Sequence, residues 1–252
     1  MLRKLLKIVG WILGAIVLLA CLLVGGVWVW LEYYTADLPD VTALSRFAPT
    51  SSTTVVDENH KTDEGLKISI VAVPYSEIGS NLINAIKAAE SVKGHSGVLR
   101  TTLMGFVDFE HYSQRPHGIV TLEYQIARTL FLRPERTINR QMHEFRTTIQ
   151  IERKFSEEQI LTIYANRVYF GNEAFGVNAA AQHCFQKNPK DLSLAEAAWL
   201  AGLIKSPNMY LKHSDRALER RNKILDWMVD DGMISRAEAD SAKQQPISAK
   251  LD

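Results

Sequence analysis

Hydrophobic and polar positions divide the chain into two regimes. From Ile8 to Leu31 every residue is uncharged and nearly all are apolar, a run longer than the ~20 residues a helix needs to cross a bilayer. Beyond Asn81 the apolar residues recur three and four apart, the period of a helix with one buried face. Ser156 and Gln159 have the S-x-x-Q form of a capping box, and Ile160, Leu161, Ile163 and Tyr164 follow as the apolar face of an amphipathic helix. Ser193 with Glu196 and Ser235 with Glu238 repeat that start signal. Asn81 is placed to cap LINAIKAAESVK, and Ile138, Met142, Phe145 and Ile149 form a one-sided stripe between Thr137 and Lys154. Ala217 to Val229 reads as a further helix, stopped near Gly232.

Other stretches break this rhythm. Lys67 to Val73 (KISIVAV) has the β-branched content of a short strand. Residues 35 to about 66, with Pro39, Pro49 and the run Ser51-Ser52-Thr53-Thr54, read as a linker or neck. Asn166, Gly171, Asn172 and Gly176 follow the Ser156 helix and carry more turn chemistry than a plain helix-to-helix link requires. Strand signals are nearly absent after residue 75, so the soluble part is expected to be all-α.

The flanks of the apolar run give it a direction. Arg3, Lys4 and Lys7 precede it, Glu32, Asp37 and Asp40 follow it, and Trp28, Trp30, Tyr33 and Tyr34 mark one interface. The positive-inside rule puts the N-terminus in the cytoplasm and the remainder on the outer face of the cytoplasmic membrane. A cleaved signal would carry a shorter apolar region, so the run is expected to stay as an anchor. The expected organisation is a cytoplasmic tail over 1–7, a transmembrane helix over 8–31, an extracytoplasmic neck over 32–74, a catalytic-type domain over 75–245 and a tail over 246–252.

Composition narrows the chemistry. The chain has 252 residues and a formal net charge of +1, so no global field points to nucleic acid. Its two cysteines, Cys21 and Cys184, are not expected to pair, because Cys21 lies within the apolar run. No zinc-type spacing, P-loop, G-x-S-x-G, S-x-x-K or H-E-x-x-H is present.

Two carboxylates stand out. Glu90 shares a helix side with Ile83 and Ile86, where desolvation would raise its pKa toward the range of a general base. A glutamate near a helix end that simply reaches solvent is the plainer alternative from pattern alone. Glu144 lies four residues after Arg140, the spacing of a helix-face ion pair. Arg128, Arg133, Arg136, Arg140, Arg146 and Arg153 cluster in the same region, and guanidinium forks suit phosphate oxygens. A basic region near a membrane can equally attract anionic lipid.

Taken together these segments resemble the peptidoglycan glycosyltransferase (transglycosylase, glycosyltransferase family 51) domain, found as monofunctional enzymes and as the N-terminal module of class A penicillin-binding proteins. AAES at 88–91, GIVTLEYQIARTLFL at 118–132, RQMHE at 140–144, EEQILTIYANRVYFG at 157–171 and RRNKILDWM at 220–228 follow the order of the family's five motifs. The resemblance implies an all-α, lysozyme-like helical head with a small membrane-proximal jaw, preceded here by one transmembrane helix. It implies polymerisation of lipid II into glycan strands, with Glu90 as general base and Glu144 as a second catalytic carboxylate. Thr121, Gln125, Arg128, Arg136, Arg140 and Asn166 would contact the substrate, most of them around its pyrophosphate. A divalent metal, Mg or Mn, would belong at Glu144; no other cofactor is implied. The implied partners are lipid II, the growing glycan, the membrane, and a penicillin-binding transpeptidase or a division or elongation complex.

The chain departs from the family pattern at several positions. Ser91 stands for an aspartate, Val120 for a serine, Glu123 for a threonine, Tyr124 for a glutamine, Arg128 for a lysine, Thr129 for an asparagine, Gln141 for a lysine and Glu157 for a lysine. These changes concentrate in the donor pocket. They define the alternative to an active enzyme, a non-catalytic relative that binds lipid II as a scaffold or regulator of cell-wall synthesis. One expectation is independent of activity: deleting residues 1–31 should release the protein from membranes in a flotation assay, and retention would mean that the domain binds lipid by itself.

Overall fold

The apolar run folds as a single helix, α1 (Leu2–Tyr34), in the computed structural model, which describes residues 2–34, 38–61, 67–90, 121–130 and 138–249. Its segment Gly10–Trp30 has a mean hydropathy of 2.7 and none of it is buried against the protein. By length and composition this helix can cross a membrane.

The stretch expected to be a linker is folded into the domain instead. Val41, Leu44 and Phe47 are buried in a 3₁₀ helix, Val41–Phe47. They are spaced three apart, and at three residues per turn such side chains stack on one side. Asp40 caps this turn, accepting from the Thr42 N–H at 2.8 Å and the Thr42 hydroxyl at 2.6 Å. Strand β1 (Thr53–Lys61) then pairs antiparallel with β2 (Lys67–Ala72), the strand expected from its β-branched content. Val55 opposite Ile70 faces the core, while their neighbours Val56 and Val71 are exposed, the alternation of a half-buried hairpin. The hairpin precedes residue 75, and beyond it the described elements are helical, as expected.

Helix α2 (Tyr75–Ile78) leads into α3 (Ser80–Ala89), which begins after Gly79. Asn81 is not its cap. It lies inside the first turn, and its side-chain N–H donates to the Leu192 carbonyl at 3.1 Å. The later helices are α4 (Leu122–Leu130), α5 (Ile138–Lys154), α6 (Glu157–Arg167), α7 (Val177–Phe185), α8 (Leu194–Leu203), α9 (Pro207–Lys212), α10 (Ser214–Asp230) and α11 (Arg236–Gln244). The capping boxes at Ser156, Ser193 and Ser235 are all formed. Helix α3 packs on α8 and α10, and α8 on α10, while α4 packs on α5 and α6. After α11, Ile247 and Ala249 still pack on the core, so the folded unit extends beyond 75–245 at both ends.

Helix α5 departs from the expected stripe at the two of its positions whose side chains are described; those of Ile138 and Met142 lie outside the described residues. Phe145 and Ile149 are only partly buried, whereas Glu144, Thr147, Thr148 and Ile151 are buried. The helix turns a mixed polar face toward α4, because Glu144 finds its partner there and the Thr148 hydroxyl donates to the Glu144 carbonyl at 2.6 Å.

Helix α6 is enclosed more fully than an amphipathic helix. Every residue from Ile160 to Arg167 is buried. Asn166 is completely inaccessible; its amide donates to the Phe47 and Val73 carbonyls, both at 2.8 Å, and accepts from the Val73 N–H at 3.0 Å. Gly176 closes over it from the turn beyond: its φ is +82°, and a Cβ there would lie 2.6 Å from the Asn166 carbonyl oxygen, which only glycine tolerates. Replacing Asn166 with alanine strands three buried backbone groups. At ~1–3 kcal/mol for each buried group left unpaired, less what water recovers, Asn166→Ala should lower stability by about 3 kcal/mol, measured by chemical denaturation in detergent; a loss below about 1 kcal/mol would show that these bonds do not hold the fold.

Candidate active site

Three helices bring their polar groups to one place. Helix α3 ends at Ala89, and Glu90 stands at its C-cap with φ −97° and ψ 2°. Helix α4 starts at Thr121, whose hydroxyl oxygen accepts from the Tyr124 N–H at 3.3 Å, an N-cap arrangement. That start aims Gln125 at Glu90, and the Gln125 side-chain N–H donates to Glu90 Oε2. From the buried α6, Tyr164 Oη lies 3.1 Å from Glu90 Oε1 and 3.2 Å from Gln125 Oε1. Glu90, Gln125 and Tyr164 thus close a triangle across sequence separations that no local pattern links.

The electrostatics of this triangle favour a proton acceptor. Burial raises the Glu90 pKa, against the hydrogen bonds from Gln125 and Tyr164 and the fields of Arg220 and Lys205, which lower it. Burial and the neighbouring Glu90 charge hold the Tyr164 phenol well above its usual range, so it is a hydroxyl donor. Arg220 reaches the site from α10. Its guanidinium stacks 4.6 Å from the Trp227 ring centroid, and its stem crosses Gly202, where a Cβ would stand 3.1 Å from Arg220 Cγ. Its Nε is buried without a hydrogen-bond partner.

A second carboxylate sits beside the same helix. Glu144 is 3% exposed; its Oε1 accepts from Arg140 Nε and its Oε2 from the Tyr124 hydroxyl, each at 2.7 Å. Tyr124 and Gln125 are consecutive on α4, so the two glutamates are held from directions about 100° apart around one helix. The helix-face ion pair expected from the spacing of Arg140 and Glu144 is formed, with the Glu144 side chain buried. Further along α4, the Thr129 hydroxyl accepts from Arg167 at 3.1 Å, and the Arg167 guanidinium stacks 5.1 Å from the Phe47 ring.

Glu90, Gln125, Glu144 and Arg140 are therefore gathered around α4. Thr121 caps that helix, and Arg128 is exposed on it. Asn166 is committed to backbone groups inside the fold, which gives it a structural place rather than a substrate contact. Arg136 lies outside the described residues, as do Ser91 and Val120. Sequence reasoning missed Tyr164, Tyr124, Arg220 and Lys205 as members of the site. Tyr164 was legible only as one more apolar position, and Arg220 only as part of a motif. Each Glu144 oxygen already accepts one hydrogen bond, from the Arg140 guanidinium and the Tyr124 hydroxyl. Among the described residues no group of three or more His, Cys, Asp or Glu could hold a metal ion.

A family model described as Transglycosylase matches residues 60–229. Penicillin-binding protein 1A of Pseudomonas aeruginosa is 34% identical over 223 residues, covering 86% of this chain and 27% of that protein. Penicillin-binding protein 1A of Aquifex aeolicus is 34% identical, covering 98% of this chain and 34% of that protein. The chain thus spans about a third or less of the length of these relatives. A crystal structure of penicillin-binding protein 1A from Haemophilus influenzae aligns with 79% of this chain and 21% of its own, at 24% identity and a TM-score of 0.43, a likeness too low to carry weight.

The raised Glu90 pKa fixes the sign of a pH effect. A carboxylate raised in the folded state adds stability below its unfolded value and loses it as pH rises through the folded value. Glu90→Gln removes that titration. The variant should melt close to wild type in acid and progressively above it as pH rises from about 4 toward neutrality, followed by thermal melting in detergent. A constant difference across that range would show that Glu90 is not raised.

Proposed function

Because the chain belongs to the transglycosylase family, we propose that it is a membrane-anchored peptidoglycan glycosyltransferase that joins lipid II units into glycan strands. The acceptor's 4-hydroxyl gives its proton to the Glu90 carboxylate as its oxygen bonds to the anomeric carbon of the donor. The bond from that carbon to the lipid pyrophosphate breaks on the opposite face, and the electron pair leaves with the pyrophosphate. Inversion at the anomeric carbon follows from this in-line displacement.

One observation carries the reading: Glu90 is raised by burial yet fixed by Gln125 and Tyr164 in the field of Arg220. A base in the ordinary carboxylate range would be a poorer match to a sugar hydroxyl near neutral pH. Arg140, oriented by Glu144, and the exposed Arg128 supply positive charge for the leaving pyrophosphate. With α1 in the cytoplasmic membrane and its basic end inside, the domain would meet lipid II on the outer face. A penicillin-binding transpeptidase or a division or elongation complex fits as the partner that uses the glycan.

A specific feature favours the second reading, a lipid II-binding scaffold. Tyr124 takes the second oxygen of Glu144, at a position where the family pattern has glutamine, so both oxygens of this carboxylate already bond inside the protein. Lipid II polymerisation by the purified full-length chain separates the two, with magnesium and with chelator. Glycan product that falls by about 10²–10⁴-fold in Glu90→Gln is the expected result for a general base. Equal absence of product in both proteins, with lipid II still bound, would overturn the enzyme in favour of the scaffold.

A further inference from the structure

We propose that Tyr164 is a positioning residue that lets Glu90 take up and hold the acceptor's proton without any heavy atom changing place; the inference rests on the glycosyltransferase reading and extends it. The geometry of the triangle carries the argument. With Glu90 ionised, the Gln125 N–H donates to Oε2 and the Tyr164 hydroxyl to Oε1. Gln125 Oε1 then waits 3.2 Å from the same hydroxyl. When Glu90 holds the proton on Oε1, that oxygen donates to Tyr164 Oη, and the tyrosine proton turns to Gln125 Oε1. The ring then runs from Gln125 N–H to Glu90, from Glu90 O–H to Tyr164 and from Tyr164 O–H back to Gln125, with one donor for each acceptor. Beyond the proton added to Glu90, a single rotation of the Tyr164 hydroxyl hydrogen separates the two states.

This closure has a chemical consequence. A base buried in an apolar setting normally strands its new proton, or needs its surroundings to reorganise. Here both protonation states are satisfied by the same oxygen and nitrogen positions, so the environment is organised before the transfer. The triangle gains one proton: the acceptor hydroxyl's O–H bond breaks, Glu90 takes that proton, and Tyr164 ends with the proton it began with. Asn166, two residues after Tyr164 on the enclosed α6, fixes the helix that carries the hydroxyl. Among the described residues, the charged or titratable groups acting on Glu90 are Tyr164 on α6, Arg220 on α10 and Lys205 after α8. The two cations act alike in wild type and in Tyr164 variants, so comparing them isolates the hydroxyl.

The test has two arms on the full-length protein in detergent. In the first, wild type, Glu90→Gln, Tyr164→Phe and the double variant are melted between about pH 4 and 8. The difference made by Glu90→Gln in each background reports the Glu90 titration without any need for activity. Tyr164→Phe takes a charge-assisted bond from the ionised form and a weaker neutral bond from the protonated form. The Glu90 midpoint should therefore rise, by about half a unit to one unit. Replacing Tyr164 with 3-fluorotyrosine, a more acidic phenol and stronger donor, should move it down, and this variant serves if Tyr164→Phe does not fold. In the second arm, Tyr164→Phe should lower kcat for lipid II polymerisation about tenfold with little change in KM, and shift the acid limb of the kcat profile upward. An unmoved Glu90 midpoint in both variants would overturn the inference. So would a loss of kcat whose pH profile matches wild type, since that is a structural effect alone. Absence of product from wild type with the midpoints still moving would overturn the glycosyltransferase reading while leaving the hold of Tyr164 on Glu90 established.

Discussion

Helix α6 is enclosed from Ile160 to Arg167, so each polar group it carries must be satisfied from within the protein. The rest of the domain is arranged around that demand. Asn166 draws in the 3₁₀ turn at Phe47 and the end of the hairpin at Val73. Arg167 binds Thr129 of α4 and stacks on Phe47. The Thr162 hydroxyl returns to the Glu158 carbonyl at 2.7 Å. Among the described residues the Tyr164 hydroxyl reaches Glu90 and Gln125, so the same constraint that fixes the helix also fixes the carboxylate at the end of α3. Scaffold and site share one helix, and the site inherits the helix's rigidity.

Two glutamates beside α4 show how environment assigns roles. Glu144 is more buried than Glu90, yet a guanidinium and a phenol hydroxyl each occupy one of its oxygens. It is suited to orient Arg140. Glu90 has two neutral hydrogen bonds and its cations act from farther off, so desolvation prevails and its pKa rises. A direct ion pair would have held it ionised and lowered its basicity. The distinction comes from which residue of α4 each glutamate meets: Tyr124 for one, Gln125 for the other.

What could be read from the sequence follows the range of the interactions. The capping boxes at Ser156, Ser193 and Ser235 are closed within four residues and form as their spacing implies. The strand at Lys67 was visible from its β-branched run, but β1 was hidden in polar text whose only apolar signal is Val55 and Val56. Val41, Leu44 and Phe47 carry a period of three, a pattern a search for helices at 3.6 passes over. Helix α5 misled for a tertiary reason. Phe145 and Ile149 of its apolar stripe are only partly buried, while Glu144, bonded by Arg140 and Tyr124, is buried. Glu90 was suspected from its apolar neighbours, whereas Tyr164 could not be assigned to it by any spacing, since 74 residues separate them.

A partly buried base is held against its own tendency to become neutral, and the surrounding structure must resist the collapse that would relieve it. In this chain that resistance comes from elements with little freedom to move. Gly176 seals the backbone of Asn166, Asn166 locks α6, and α6 presents Tyr164. From the other side Gly202 lets the stem of Arg220 cross α8, and Trp227 supports its guanidinium. Movement of Tyr164 toward solvent would unpair Asn166, and withdrawal of Arg220 would expose the face of Trp227. The raised carboxylate is thereby tied to contacts elsewhere in the core that any movement relieving it would have to break, a condition under which a fold can hold a group in an unfavourable setting.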